Sequence, residues 1–223
     1  MLLKLRDPDT LADLEDVLQS PDFGAIFALA DSVGGAGAGP GSSASVLIDL
    51  EPGQYMAVCV IPDDDGTPHY LKGQQAPFSV TENDATNSPP SADLSVEMSE
   101  MVFTGISAEL PSGPQIWEVT NTGEQLHELA LVRLADGMTI DQGFEIFGIG
   151  AEAATPDDSM ASMEMEGPPF TGVGGIAPLG PGQTNLLELD LAPGTYIAIC
   201  FVPDTASGAP HFMLGMISGF TVA

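Results

Sequence analysis

Two cysteines, Cys59 and Cys200, sit at the head of the same run of residues, written twice in the chain. After each Cys come a Pro-His pair, a Gly four residues beyond the His, and then Phe-x-Val. In the first copy these are Cys59, Pro68-His69, Gly73 and Phe78-Ser79-Val80; in the second they are Cys200, Pro210-His211, Gly215 and Phe220-Thr221-Val222. The residue after the Gly is Gln74 in one copy and Met216 in the other. A soft thiolate, an imidazole and a thioether at fixed offsets are the donor set of a mononuclear copper site. The third histidine of the chain, His127, stands far upstream of Cys200 and opens the apolar run 127–134.

These donors need strands and turns to bring them together, and the repeat supplies both. Residues 39–53 resemble 180–194, each ending in a Pro-Gly turn before the Cys-bearing strand. Further upstream, 2–19 resembles 131–148, a strand that passes into a helix. Leu11, Leu14, Val17 and Leu18 form one apolar face behind Thr10, and Ile140, Phe144 and Phe147 form the other behind Thr139. The polar stretch 81–93 has two prolines and no periodicity, so it reads as a linker. After it, 102–109, 114–121 and 127–134 read as strands separated by turn signals. The glycine-rich 172–182 has no helical pattern behind it and reads as a loop before a strand. Trp117 alternates with other apolar residues and is expected in the core.

The expected organisation is therefore two units, 1–80 and 94–223, joined by 81–93. The second has some 35 residues before its strand-to-helix stretch and the first almost none, so the counterpart of His127 would fall just before Met1. The first unit is expected to start part-way through, leaving unpaired strand edges that invite association.

Thirty-two acidic residues face only Lys4, Arg6, Lys72 and Arg133, a net charge of -28. Almost no cation is available to meet phosphate, which argues against nucleic acid and against anionic membrane surfaces. No run of about 18 apolar residues is present, so no transmembrane helix is expected, and residues 1–20 carry charges throughout, unlike a signal peptide. The two cysteines occupy equivalent places in separate units, too far apart for a disulfide, and each is expected to be a buried thiol or a metal ligand.

In 94–223 the joint pattern Asn121-x-Gly123-x3-His127, Pro193-Gly194-x-Tyr196-x3-Cys200 and His211-x4-Met216 resembles the cupredoxin family, the plastocyanin- and azurin-like blue copper proteins. The resemblance covers most of 94–223 and part of 1–80. It implies an all-β fold, tandem Greek-key β-sandwiches each with a short helical insertion. It also implies copper held by His127, Cys200, His211 and an axial Met216, used for electron transfer outside the cytoplasm with a redox partner docking at the exposed His edge. Ten residues separate Cys200 from His211, a loop more like that of copper nitrite reductases than of plastocyanins. In 1–80 the corresponding set is Cys59, His69 and Gln74, which lacks the first imidazole. Multicopper catalysis needs further histidines, and all three here are already assigned, so no enzyme activity is expected of this chain alone.

Three alternatives accompany this reading. One is zinc at the same residues. Another is a metal-free cell-surface or assembly module, associating as a homo-oligomer through the edges of 1–80. The third is copper storage or delivery through Met160, Met163 and Met165, whose thioethers suit Cu(I).

Overall fold

A computed structural model of the chain describes residues 1–20, 23–83, 88–150 and 168–223. The methionine group 160–165 lies outside them. The first part of the chain builds β1 (Leu2–Leu5), α1 (Leu11–Val17), α2 (Phe23–Leu29), β2 (Ala30–Gly34), β3 (Ser45–Leu47), β4 (Gly53–Val58) and β5 (Gln75–Val80). Then follow β6 (Leu94–Ser99), β7 (Val102–Thr104), β8 (Glu109–Leu110), β9 (Gly113–Asn121) and β10 (His127–Leu134). The last part holds α3 (Ile140–Ile146), β11 (Phe170–Leu179), β12 (Thr184–Leu191), β13 (Gly194–Ile199) and β14 (Ile217–Val222). The fold is all-β, as expected, with short helices.

Two sheets result. One runs β5-β4-β1-β2-β11-β10-β13-β14-β8, the other β3-β12-β9-β6-β7. Between them lies the main core: Val96, Met98, Trp117, Val119 and Leu187 from the smaller sheet meet Leu129, Leu131, Ile176, Tyr196 and Phe220 from the larger. The alternation expected of a strand with one wet face holds for β9, where Gln115, Trp117 and Val119 point inward. In β13 the last four residues are all buried. Tyr196 and Ala198 face the main core, while Ile197 and Ile199 face a second cluster with Phe144, Phe147 and Phe212 on the α3 side. A strand covered on both faces reads as a continuous apolar run.

Residues 1–80 and 94–223 share both sheets. Val33 of β2 pairs with Leu179 of β11, and Ser45–Leu47 of β3 pair with Leu186–Glu188 of β12. Outward from that seam, β2-β1-β4-β5 has the same order as β11-β10-β13-β14. The repeat extends to details. Tyr55 Oη donates to the Glu51 carbonyl and Tyr196 Oη to the Ala192 carbonyl, both at 2.7 Å. Tyr55 stacks on Phe78 as Tyr196 stacks on Phe220, with centroids 5.2 and 5.3 Å apart. Thr10 and Thr139 each cap a helix through a reciprocal capping box, as their positions predict.

Two strand expectations are corrected. The 102–109 run breaks into β7 and β8, because Gly105 turns away at φ +92° and its Cβ position lies 2.0 Å from the Ser95 carbonyl oxygen. The glycine-rich 172–182 is not a loop: residues up to 179 form the ten-residue β11. Its glycines answer a need for close approach. A Cβ on Gly175 would stand 2.1 Å from the Leu129 carbonyl oxygen on β10, in the stretch of even register between two irregularities of that pairing. Gly175→Ala is therefore expected to push β10 from β11 and lower stability by about 2 kcal/mol, at the scale of an overpacked core. Denaturant unfolding would show it, and an unchanged midpoint would refute the close-approach argument.

Candidate metal centre

His127 is the first residue of β10, placed by a turn that Asn121 holds. Asn121 Nδ2 donates to the carbonyls of Gln125 and Leu179, both at 2.7 Å, and its Oδ1 accepts from Gly123 N at 2.9 Å. Gly123 has to be small here: a Cβ would lie 2.9 Å from His127 Nε2 and 2.5 Å from Glu100 Oε1. Cys200 directly follows β13. His211 opens a short 3-10 helix, His211–Leu214, closed by left-handed Gly215. Three backbone bonds tie these residues into one unit. Cys200 N donates to the Met216 carbonyl, Met216 N to the His211 carbonyl, and Phe212 N to the Cys200 carbonyl.

The outcome is a convergence of donor atoms. His127, Cys200 and His211 are fully buried, and their ligand atoms lie within 4.8 Å of one another. His127 Nδ1 and His211 Nδ1 are 3.1 Å apart, and Cys200 Sγ is 3.5 Å from His211 Nδ1. Metal–nitrogen bonds near 2.0–2.1 Å and metal–sulfur bonds near 2.3 Å, at tetrahedral angles, imply donor separations of about 3.4–3.6 Å. The three side chains thus stand close to the spacing that one ion would impose. Met216 is buried in the same core cluster as Cys200. The donor set, one thiolate and two imidazoles beside a thioether residue, fits copper.

Surrounding groups set the charge states. Burial, then the neighbouring His211, lowers the His127 pKa; burial does the same for His211. Both imidazoles are therefore neutral at pH 7, as metal ligation requires. Burial, then Glu128, pushes the Cys200 thiol up to about 12. Glu128 N donates to Cys200 Sγ at 3.4 Å, a bond that favours the thiolate. The Glu128 carboxylate accepts from Phe201 N at 2.8 Å, while loss of water raises its pKa to about 7.

The 201–210 loop is organised by Asp204. Its carboxylate accepts from Gln125 Nε2 at 3.0 Å and from Ser207 N and Oγ at 2.7 Å each, which holds its pKa at about 2. A long ligand loop is thus compatible with His211 reaching the thiol.

Glu100 is a neighbour of the candidate site that sequence reasoning missed. Its carboxylate accepts from the backbone N–H of Glu124 and Gln125, and its Oε1 lies 3.6 Å from His127 Nε2. A carboxylate behind a ligating imidazole orients the ring and strengthens the donor. Nothing local in the sequence marks it, since it arrives from the β6–β7 turn.

One expectation fails: His211 has no exposed edge. It is fully buried, and the apolar surface nearby belongs instead to Phe201, Met213 and Leu214, which are 44%, 58% and 43% exposed.

In the first copy, Cys59 Sγ stands 3.5 Å from His69 Nδ1, the same separation as in the second. Gln74 takes the backbone role of Met216, donating to the His69 carbonyl and accepting from Cys59 N. Among the described residues no third His, Cys, Asp or Glu joins them. Both cysteines are free.

No family model and no curated protein matches the chain. Among solved structures, reduced auracyanin from the photosynthetic bacterium Roseiflexus castenholzii is similar over 58% of this chain and 94% of its own, at 22% identity and TM-score 0.36. Auracyanin A of Chloroflexus aurantiacus, a "blue" copper protein, is similar over 58% and 98%, at 19% identity and TM-score 0.34. A multicopper oxidase from Campylobacter jejuni is similar over 78% and 41%, at 10% identity and TM-score 0.30. At such scores these likenesses carry no argument, and the reading below rests on the chain's own geometry.

Proposed function

We propose that the chain binds one copper ion at His127, Cys200 and His211, with Met216 as the residue that would offer a thioether, and passes single electrons through it. One observation carries this reading: two imidazole Nδ1 atoms and a thiol sulfur converge within 4.8 Å in a fully buried place. Copper would supply a one-electron couple there. The protein residues do the rest. The sandwich fixes His127 on a strand and Cys200 at a strand end, so the donor positions change little between charge states. The Glu100 carboxylate lies 3.6 Å from His127 Nε2, close enough to favour charge on that ring, and the Glu128 N–H holds the sulfur. The buried site excludes water and competing ligands, which suits electron transfer and leaves no room for a substrate, so the reading is of a non-enzyme.

Electrons would leave through the covering residues rather than through His211 itself. Phe201, Met213 and Leu214 form the apolar surface on which a redox partner would dock. The acidic remainder of the surface would select a cationic partner. In this reading 94–223 is the copper-bearing unit, 1–80 is a related unit joined by 81–93, and the protein works outside the cytoplasm. Among the described residues no helix is long and apolar enough to cross a membrane.

The experiment is a Cu(II) titration of the reduced chain, followed by visible absorption and paramagnetic resonance. One equivalent giving an intense thiolate-to-copper band is expected. A colourless titration with weak surface binding would remove the electron-transfer reading and leave the metal-free assembly module.

A further inference from the structure

β10 has a strand on both sides over its middle, but not at His127. Its pairing with β13 covers residues 130–133 and stops there. At the start of the strand only β11 pairs with it among the described residues, with Leu179 opposite His127. The register shifts between His127 and Leu129, so the rungs at 129–134 do not by themselves fix where His127 stands. The place of His127 therefore follows from the place of Leu179.

Leu179 is set from two directions. Its carbonyl accepts from Asn121 Nδ2 at 2.7 Å, just ahead of the turn that leads into β10. On its far side stands Val33 of β2, so Val33, Leu179 and His127 form one row across the larger sheet. Residues 1–80 grip this end of β11 closely. Ala177 N donates to the Gly35 carbonyl at 2.9 Å, Gly180 N to the Ser32 carbonyl at 3.0 Å, and Gly37 N to the Gly175 carbonyl at 3.0 Å. Two side chains add to these bonds. Ser32 Oγ donates to the Pro178 carbonyl. Asn185 accepts from Gly35 N at 3.2 Å through Oδ1 and donates to the Val33 carbonyl at 3.0 Å through Nδ2. Ser32 and Asn185 are each 1% exposed. Buried polar groups are costly to leave unpaired, so these bonds favour a single registration of β2 against β11.

We infer that residues 1–80 brace the metal centre: Ser32 and Asn185 lock β2 to the end of β11, and β11 in turn places His127 for ligation. Ser32 and Asn185 are positioning residues, acting through β11 rather than on the ion. The inference rests on the metal site of the proposed function and has a reciprocal consequence. If the seam favours the ligating place of His127, an ion bound to His127 must tighten the seam by the same factor. A merely structural seam carries no such linkage.

The test uses the full-length wild-type chain beside Ser32→Ala, Asn185→Ala and Thr10→Ala. Co(II) under anaerobic conditions is the probe, because its thiolate charge-transfer band reports the sulfur and its ligand-field bands report the geometry. Thr10→Ala removes a helix cap from the same part of the chain and controls for lost stability alone. It should leave the bands and the half-saturating Co(II) concentration as in the wild type. Ser32→Ala and Asn185→Ala should shift the ligand-field bands and raise half-saturation by about three- to thirtyfold, the range of long-range coupling. Ser32→Ala is the milder change and keeps the test decisive where Asn185→Ala does not fold. In the wild type, saturating Co(II) should slow hydrogen exchange of the segment 31–37, read by mass spectrometry, by a larger factor than that of the β4–β5 pair. Unchanged bands and half-saturation in a folded seam variant, an equal change in Thr10→Ala, or exchange at 31–37 indifferent to the ion would each overturn the brace while leaving the metal site in place. A wild-type chain without a thiolate band would instead remove the metal site, and the brace with it.

Discussion

Cys200→Ser is expected to abolish the intense thiolate-to-copper absorption while the chain stays folded. Cys59→Ser is expected to leave that absorption in place. The contrast follows from what each sulfur touches. Cys200 Sγ is 3.5 Å from His211 Nδ1 and shares a buried site with His127. Among the described residues, Cys59 has His69 as its one neighbour able to ligate a metal beside it. A serine hydroxyl at 200 can still accept from Glu128 N, which stands 3.4 Å from the present sulfur, so the buried polar atom is not orphaned. Loss of an outer-shell partner typically costs ~10–100-fold in metal affinity, and loss of the only thiolate should exceed that. Equilibrium competition against a chelator gives the affinity, and circular dichroism checks the fold. An unchanged band in Cys200→Ser would place the metal elsewhere.

Metal uptake should also depend steeply on pH. Burial, with Glu128 beside it, pushes the Cys200 thiol up to about 12, so the metal-free site carries a proton on sulfur across the working range. Binding must release that proton. Both imidazoles, held below their ordinary pKa, are already neutral there and release none. One proton lost from sulfur per ion makes apparent affinity rise about tenfold per pH unit, at least a hundredfold from pH 6.5 to 8.5, or ~2.7 kcal/mol, and the Glu128 carboxyl, raised to about 7 beside the sulfur, steepens the lower end of that range. As pH falls into the imidazole range, further protons compete and the dependence steepens. Affinities measured in buffers of constant chelating strength would test this. A flat profile would mean that the thiolate already exists in the free protein, or that sulfur is not a ligand.

The candidate donors were legible because their carriers are rare residue types in a repeated frame. Cys200, His211 and Met216 lie on one short stretch, and their spacing survives into backbone bonds. The helix starts at Thr10 and Thr139 were legible for the same reason: a capping box is complete within four residues. What was hidden depends on distant partners. β11 carries glycines that normally weaken a strand, and only the approach of the Leu129 carbonyl explains them. Glu100 becomes the neighbour of His127 through the pairing of β6 with β9, which no local pattern announces. Burial of His211 likewise depends on tertiary packing, and the composition of its own loop does not reveal it.

The seam between the two halves also sets the order in which the chain can become a protein. Gly35 N donates to the side chain of Asn185, 150 positions later, and Asn185 Nδ2 donates back to the Val33 carbonyl. At synthesis rates of about 5–20 residues per second, the strands of 1–80 emerge roughly 8–30 s before the partners that cover their inner edge. During that interval β2 and β3 present bare backbone at the ribosome. The abundance of negative charge then has a use unrelated to any ligand: nascent chains that repel one another are slower to pair at those edges before β11 and β12 arrive.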